Sequence, residues 1–413
     1  MDRPPLAHPT DPSVWEAGVP HEAFAWLRAN EPVSFWDDLE GRRGYWLVAR
    51  HDDLRAVSHD TATFSSRSGA VSLDDLDPEQ LDARRTMLEE DPPRHTALRA
   101  LVDEAFLPRA VRAYADAIEA LTDPVLDAAF ARDRFDFVEA VAKEVPIRVL
   151  CRMLGVPERH TDDLVDWGNR MLSSSDPDYA DPELAAHDPS ELRLLPFGHP
   201  AALRVFALAD ALADERRARP TDDVVSRIVT GEVDGVPLSP QEIRTMFVLL
   251  VIAGNETTRH TLSLGLLALL DHPDELARLR DDPAVSDRAN EEVIRWATPI
   301  NWHRRQVTAD TELRGRRLRA GDKVLLSYAS ANRDEAVFGD PSAFRVDRHP
   351  NPQVAFGRGG PHFCLGAHLA RLEIAVVLRR LAPHLERLRL DGPVQRLRSD
   401  HINGIKRLPV AVG

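Results

Sequence analysis

The stretch Phe356-Gly-Arg-Gly-Gly-Pro-His-Phe-Cys364-Leu-Gly366 constrains this chain more than any other. It sets one cysteine at the exit of a glycine-rich loop, directly before the helical pattern Ala367–Leu381. Gly357, Gly359 and Gly360 permit backbone conformations that side chains forbid, so the loop can pass close to a flat partner. Pro361 fixes one φ angle and biases Gly360 toward an extended conformation. Cys364 lies where a helix begins, and the free N–H groups and positive dipole end there favour thiolate over thiol. A thiolate presented alone, with no second cysteine nearby, suits the axial position of a haem iron. Two other uses of the same residues stay open. Cys364 with His362 as its base would serve a hydrolase or transferase, and a lone cysteine is often simply a buried thiol. A dinucleotide fingerprint is excluded, because His362 stands where G-x-G-x-x-G needs its third glycine.

Length alone, 413 residues, suggests two or three domains. No Gly/Ser-rich linker, low-complexity run or repeat divides the chain, however, so a single domain over residues 1–413 is expected. The only cysteines, Cys151 and Cys364, fit a reducing cytoplasm and exclude a disulfide framework. The start of the chain lacks an apolar signal core, and no run approaches about 20 apolar residues, so a soluble cytoplasmic protein without a membrane anchor is expected. The net charge of −15 argues against nucleic acid as a partner.

Hydrophobic periodicity predicts helices over residues 22–28, 52–58, 110–132, 136–154, 162–172 and 201–217. Strands are predicted over 43–50, 312–318 and 323–327, and the polar stretch 67–90 reads as a surface loop. The acidic, proline-broken segment Ser173–Pro200 suits a lid between two helices. Cys151 falls in the apolar run 147–154 and reads as an inert core thiol. Ser239-Pro240-Gln241-Glu242 is a capping box with proline at the first helical position. The helix it starts reaches Ala253-Gly254-Asn255-Glu256-Thr257-Thr258-Arg259, a run that costs a helix on the order of 1–2 kcal/mol in propensity. Either Gly254 lets a crossing helix approach, or the helix is distorted so that a carboxylate and a hydroxyl face a ligand.

Two further pairs have a bland and a functional reading. His95 and Arg99 lie on one helical face, as a solvated basic patch or as two donors for a carboxylate. Glu292 and Arg295, three apart, are a common surface spacing of little energetic value unless buried.

Taken in order, His95-x-x-x-Arg99, Ala253-Gly-x-Glu256-Thr257-Thr258, Glu292-x-x-Arg295 and Gly360-x-His362-x-Cys364-x-Gly366 resemble the cytochrome P450 family over nearly the whole chain. One departure is that Phe356 stands eight residues before the cysteine, where the family has seven. The resemblance implies a mainly α protein with small β-sheets, the cytochrome P450 fold, holding haem b. It implies Cys364 as the iron ligand, and His95, Arg99, Arg305, His362 and Gly366 around the cofactor. Glu256 and Thr257 take the acid–alcohol positions of the oxygen-activating helix, with Gly254 leaving room for dioxygen. Glu292, Arg295 and a later arginine, Arg348, form a structural triad.

The implied activity is a monooxygenase acting on a hydrophobic small molecule such as a terpenoid, sterol or fatty acid. It would use O2 and electrons from a ferredoxin and its ferredoxin reductase, as a monomer. Arg99, Arg109 and Arg112 are the implied docking residues. Tailoring of a polyketide or peptide product is the alternative substrate reading. A peroxide-driven peroxygenase or a non-enzymatic haem sensor would have little use for Glu256 and Thr257.

Overall fold

The capping box does what its residues allow. In the computed structural model, Ser239 Oγ accepts from the Glu242 amide at 3.2 Å, while Glu242 Oε2 accepts from the Ser239 amide at 2.8 Å. The helix so started, Pro240–Asp271, runs 32 residues without interruption and is buried along most of its length. Helices Glu144–Leu154, Thr161–Leu172, Ala201–Ala218, Pro283–Ala297 and Ala367–Leu381 pack around it. Two glycines let neighbours come close. A Cβ at Gly265 would lie 2.5 Å from Val293 Cγ1, and one at Gly254 would lie 2.9 Å from Leu150 Cδ1. The structure describes residues 4–172, 175–181, 184 and 187–413.

The strands form small sheets at the margins. The five-stranded sheet runs in the order Val33–Trp36, Tyr45–Val48, Lys323–Ser327, Trp302–Val307, Phe64–Ser65. Only the pairing of Lys323–Ser327 with Tyr45–Val48 is parallel, and Val324 lies opposite Arg305. A three-stranded sheet joins Leu388–Leu390, Pro409–Val412 and Arg134–Asp136. This is the mainly helical architecture that the sequence implies. Among the described residues, no helix is long and apolar enough to cross a membrane.

Several local expectations need correction. The stretch read as a loop, 67–90, contains the helix Pro78–Arg84 and a turn of 3₁₀ helix, Met87–Glu89. Both are started by capping boxes, Asp77 with Gln80 and Thr86 with Glu89, whose signal is short beside the polar composition. Residues 110–132 divide between Pro108–Arg112 and Ala115–Phe130. Residues 136–154 divide between a wide turn, Val138–Ala142, and Glu144–Leu154. Of the expected lid, residues 173–174, 182–183 and 185–186 lie outside the described residues. The rest holds short helices at Pro177–Tyr179, Pro189–Leu192 and Pro196–Gly198. Asp176, fully buried, accepts from Lys406 Nζ at 2.9 Å and from the Arg398 amide at 2.9 Å.

Candidate active site

Glycine shapes the cysteine loop. Gly359 has φ 112°, and a Cβ at Gly360 would stand 2.1 Å from the Ser58 carbonyl oxygen, so the loop lies on the helix His51–His59. Cys364 N–H donates to the Phe356 carbonyl at 2.9 Å and closes the loop. The Phe356 ring faces Phe363 and carries the Arg371 guanidinium 4.5 Å from its centroid, while Arg358 is exposed. Phe356 therefore packs inside the loop despite its extra residue of spacing. Cys364 lies two residues before Gly366, the N-cap of Ala367–Leu381.

Cys364 is deep in the fold yet keeps accessible surface, as a residue lining an internal void does, whereas Cys151 is buried. Burial pushes the Cys364 thiol up, against the Gly366 amide and the charges of Arg99 and Arg371. The helix start alone thus does not secure the thiolate, contrary to the sequence expectation. Its ionisation calls for a cation at the sulfur. A side chain at Gly366 would meet nothing within 4 Å, which leaves the loop open on that side.

The basic residues gather around this loop. His95 and Arg99 stand on the helix Arg94–Phe106. Arg99 Nη1 donates to the Phe363 carbonyl at 2.6 Å and to that of Pro361 at 3.4 Å, so it braces the loop. The His95 and His362 rings are 4.2 Å apart, and Ser66 Oγ lies 3.2 Å from His362 Nε2. Arg305 is 2% exposed, and its Nη1 donates to the Arg304 carbonyl at 2.8 Å. Among the described residues, no carboxylate forms an ion pair with His95, Arg305 or His362. His95 Nδ1, His362 Nδ1 and Arg305 Nε are buried without a hydrogen-bond partner. Burial, reinforced by the neighbouring Arg99 and Arg305, lowers His95 to about 4. Burial with the charges of Arg305 and His95 lowers His362 to about 2. Burying such groups without a counter-charge is costly, so the cluster fits an anionic edge that the protein itself does not provide.

On the central helix, Leu249, Ala253 and Thr257 recur every fourth residue and keep accessible surface midway along a mostly covered helix. Ala253 is exposed at mid-helix, which requires a void beside it. Thr257 Oγ1 donates to the Ala253 carbonyl at 2.9 Å, the back-bond open to a helical threonine. Glu256 points elsewhere. It is 2% exposed and accepts from Arg259 Nη2 at 2.5 Å, with His260 Nε2 at 3.4 Å. Burial raises its carboxyl, but Arg259 and His260 outweigh that and leave it lowered.

The helix is continuous here, so the expected distortion is absent and consecutive side chains diverge by about 100°. The structure does not bring Glu256 and Thr257 together. Gly254 serves close packing on Leu150, and the place of its missing side chain is not room for dioxygen.

The second cluster of charge is complete in itself. Glu292, with 0% exposure, accepts from Arg295 Nε and Nη2 at 2.7 Å each and from Arg348 Nε at 3.1 Å. The Arg345 amide and Asn351 Nδ2 add donors at 2.9 and 3.1 Å. Arg295 and Arg348 spend their remaining donors on the carbonyls of Asn332, Gly339, Asp340, Pro341 and Ala343. The predicted triad is therefore buried and saturated, and it ties the chain just upstream of the cysteine loop to the helix Pro283–Ala297.

Sequence reasoning missed four contributors. Ser66 beside His362 and Arg371 over Phe356 come from segments with no motif. His260, four residues after Glu256, offered only its spacing. Glu373, 2% exposed and near Thr258, is held well above the usual carboxylate range by burial. A cleft of about 880 Å³ lies between residues 61–98 and the start of the central helix, with Met87, Leu98 and Met246 among its lining. Cys364 is not part of it.

Comparisons with known proteins agree with this geometry. The family profile described as cytochrome P450 matches residues 16–400. The chain is 37% identical to the steroid C26-monooxygenase of Rhodococcus jostii, covering 97% of this chain and 83% of the relative. It is 38% identical to the methyl-branched lipid omega-hydroxylase of Mycobacterium tuberculosis, covering 94% and 90%. A Mycobacterium marinum cytochrome P450 solved in complex with pseudoionone superposes with a TM-score of 0.89 at 37% identity, over 100% of both chains.

Proposed function

The chain belongs to the cytochrome P450 family of haem b monooxygenases, and from that premise we propose that it hydroxylates a methyl-branched or steroid-like hydrophobic substrate at Cys364-ligated haem. The observation that carries the reading is the set of buried nitrogens, His95 Nδ1, His362 Nδ1 and Arg305 Nε, that find no hydrogen-bond partner among the described residues and gather at the lone cysteine of a glycine loop. Cys364 would ligate the iron, Arg305, His95, His362 and Arg99 would hold the acidic edge, and Gly366 would leave the ring its space. When bound, haem b supplies dioxygen activation, to which a thiolate ligand contributes electron density.

The chain's own residues would place substrate and protons. The stripe Leu249–Ala253–Thr257 is a largely apolar wall against which a flat cofactor and an apolar substrate can lie. Thr257 Oγ1, already donating to a carbonyl, can accept a proton donor from that void and hold it beside the reacting atoms. Glu256 would take protons from the far side of the helix. The substrate class follows the names of the relatives, which act on steroids and methyl-branched lipids. The apolar Met246 end of the central helix suits such a ligand.

Electrons would come from a ferredoxin and its reductase. Arg109 and Arg112 are exposed on Pro108–Arg112, which packs beside Ala367–Leu381. Arg99 is committed to the loop carbonyls and leaves the docking set.

A panel of a steroid, a methyl-branched fatty acid and a terpenoid ketone, scored by the haem absorption shift, tests the substrate class. A shift with the first two is expected, and one confined to polyketide or peptide compounds contradicts it. With a bound substrate, Thr257→Ala should keep the shift and consume reductant while most product is replaced by hydrogen peroxide. Full coupling in that variant would remove Thr257 from proton delivery.

A further inference from the structure

We propose that His260 is a positioning residue for Glu256: it keeps the buried Arg259–Glu256 pair monodentate, and the glycine turn at Gly404 fixes the imidazole in place. The proposal rests on the reading of Glu256 as a proton carrier.

Arginine and carboxylate usually pair through two parallel hydrogen bonds. Here they do not. Arg259 Nη2 donates to Glu256 Oε2, Nη1 donates to Asn169 Oδ1 at 2.9 Å, and Nε is buried with no partner at all. What stands beside the unused fork is His260, whose Nε2 lies 3.4 Å from the same Oε2. The tautomer follows from the other nitrogen. The Ile405 amide donates to His260 Nδ1 at 3.3 Å, and with Nδ1 accepting, the proton of the neutral ring is on Nε2, which lies 3.4 Å from both Glu256 Oε2 and Arg259 Nη2 and has only the carboxylate to donate to. Burial and the adjacent Arg259 charge keep the ring neutral. Asn255 Nδ2 approaches the second oxygen, Oε1, at 3.3 Å. The carboxylate is thus shared among three weak or single contacts instead of being locked into one strong double one.

The ring's position is set from outside the helix. A Cβ at Gly404 would fall 2.7 Å from Cε1, 2.8 Å from Nε2 and 2.9 Å from Nδ1, so the backbone of Gly404 lies directly on the imidazole. The turn is itself pinned. Asn403 Nδ2 donates to the Ala297 carbonyl at 2.6 Å, and the Asn403 amide to that of Pro299 at 2.9 Å. Without the imidazole, Oε2 loses its second donor, and Arg259 can swing Nε onto the carboxylate. A bidentate pair holds Glu256 harder on the side of the helix turned away from Thr257, and proton hand-off slows.

The test uses the holoenzyme with a substrate that gives the absorption shift. His260→Leu should raise the share of reductant diverted to peroxide severalfold, at the low end of the roughly two- to hundredfold that directly coupled neighbours show. His260→Gln, whose amide nitrogen can reach the same oxygen, should restore coupling. In a Glu256→Gln background, His260→Leu should change nothing further. An equal loss from His260→Leu in both backgrounds overturns the proposal, since the histidine would then act elsewhere.

A second readout is independent of turnover. Nitrogen-15 spectra of the reduced, carbon-monoxide-bound holoenzyme, with His260 identified by subtraction of the His260→Gln variant, should show a neutral ring protonated at Nε2. They should also show its Nε2 proton shifting in Glu256→Gln. A ring protonated at Nδ1, or an imidazolium, overturns the proposal. Full coupling in Glu256→Gln alone would instead retire the proton-carrier role, while the spectra still decide whether His260 binds the carboxylate.

Discussion

Glu292, Arg295 and Arg348 are buried and find their partners among themselves, nearby carbonyls, the Arg345 amide and Asn351. His95 and Arg305 are buried too and His362 is half-buried, yet each leaves a buried nitrogen without a partner. The first arrangement is finished by the protein and can only hold the fold. The second is not, and in the proposed reading the acidic edge of the cofactor finishes it. A protein tolerates an unpaired buried cation only where another requirement outweighs the desolvation cost, and a ligand's counter-charge is such a requirement. The difference in saturation therefore separates scaffold from proposed site, although both clusters consist of titratable residues at helical or strand spacings.

The contrast can be broken most forcefully at Glu292. Glu292→Ala strands two buried guanidinium groups and should cost about 3–5 kcal/mol, giving little soluble protein with or without haem. Stable, haem-loaded protein that has lost only turnover would move the triad from scaffold to mechanism.

The same operation on the other cluster should have the opposite sign. Arg305→Met removes a buried charge with no carboxylate partner, so the haem-free protein should unfold at the same or a higher denaturant concentration, by up to about 1–3 kcal/mol. Haem retention during gel filtration should fall. A haem-free protein destabilised as much as by Glu292→Ala would show that Arg305 is scaffold after all.

Acid titration sharpens the distinction further. His95 is lowered from 6.5 to about 4, so below pH 6.5 the unfolded chain takes up a proton that the folded, haem-free protein refuses until about pH 4. Its contribution is fully present above pH 6.5 and is lost as pH falls toward 4. Glu292 is lowered from 4.5, where Arg295 and Arg348 outweigh burial, so its contribution persists above pH 4.5 and fades only below it. Haem-free protein should lose stability between pH 6.5 and 4, and His95→Gln should flatten that slope. An unchanged slope in the variant would remove His95 from the unsatisfied cluster.

What was legible in the sequence followed how locally each feature is encoded. The capping box at Ser239 and the glycine loop before Cys364 are contiguous, and both form as read. The triad was legible because Glu292 and Arg295 share a helix and Arg348 follows a family spacing. The direction of Glu256 was not. Whether a helix bends at Gly254 depends on Leu150, over 100 residues earlier in the chain. Ser66, Arg371 and Gly404 reach the site through packing alone, and no spacing announces them. The thiol of Cys364 shows the same limit, since burial, a property of the whole fold, outweighs the local effect of a helix start.

Cys364 is the proposed iron ligand, whereas Cys151 is a buried core thiol that burial pushes up to about 11. Absorption of the reduced, carbon-monoxide-bound protein reads the iron ligand directly. Cys364→Ser should abolish the strongly red-shifted band that marks a thiolate ligand, and Cys151→Ser should leave it intact. A band that survives Cys364→Ser and disappears in Cys151→Ser would contradict the assignment.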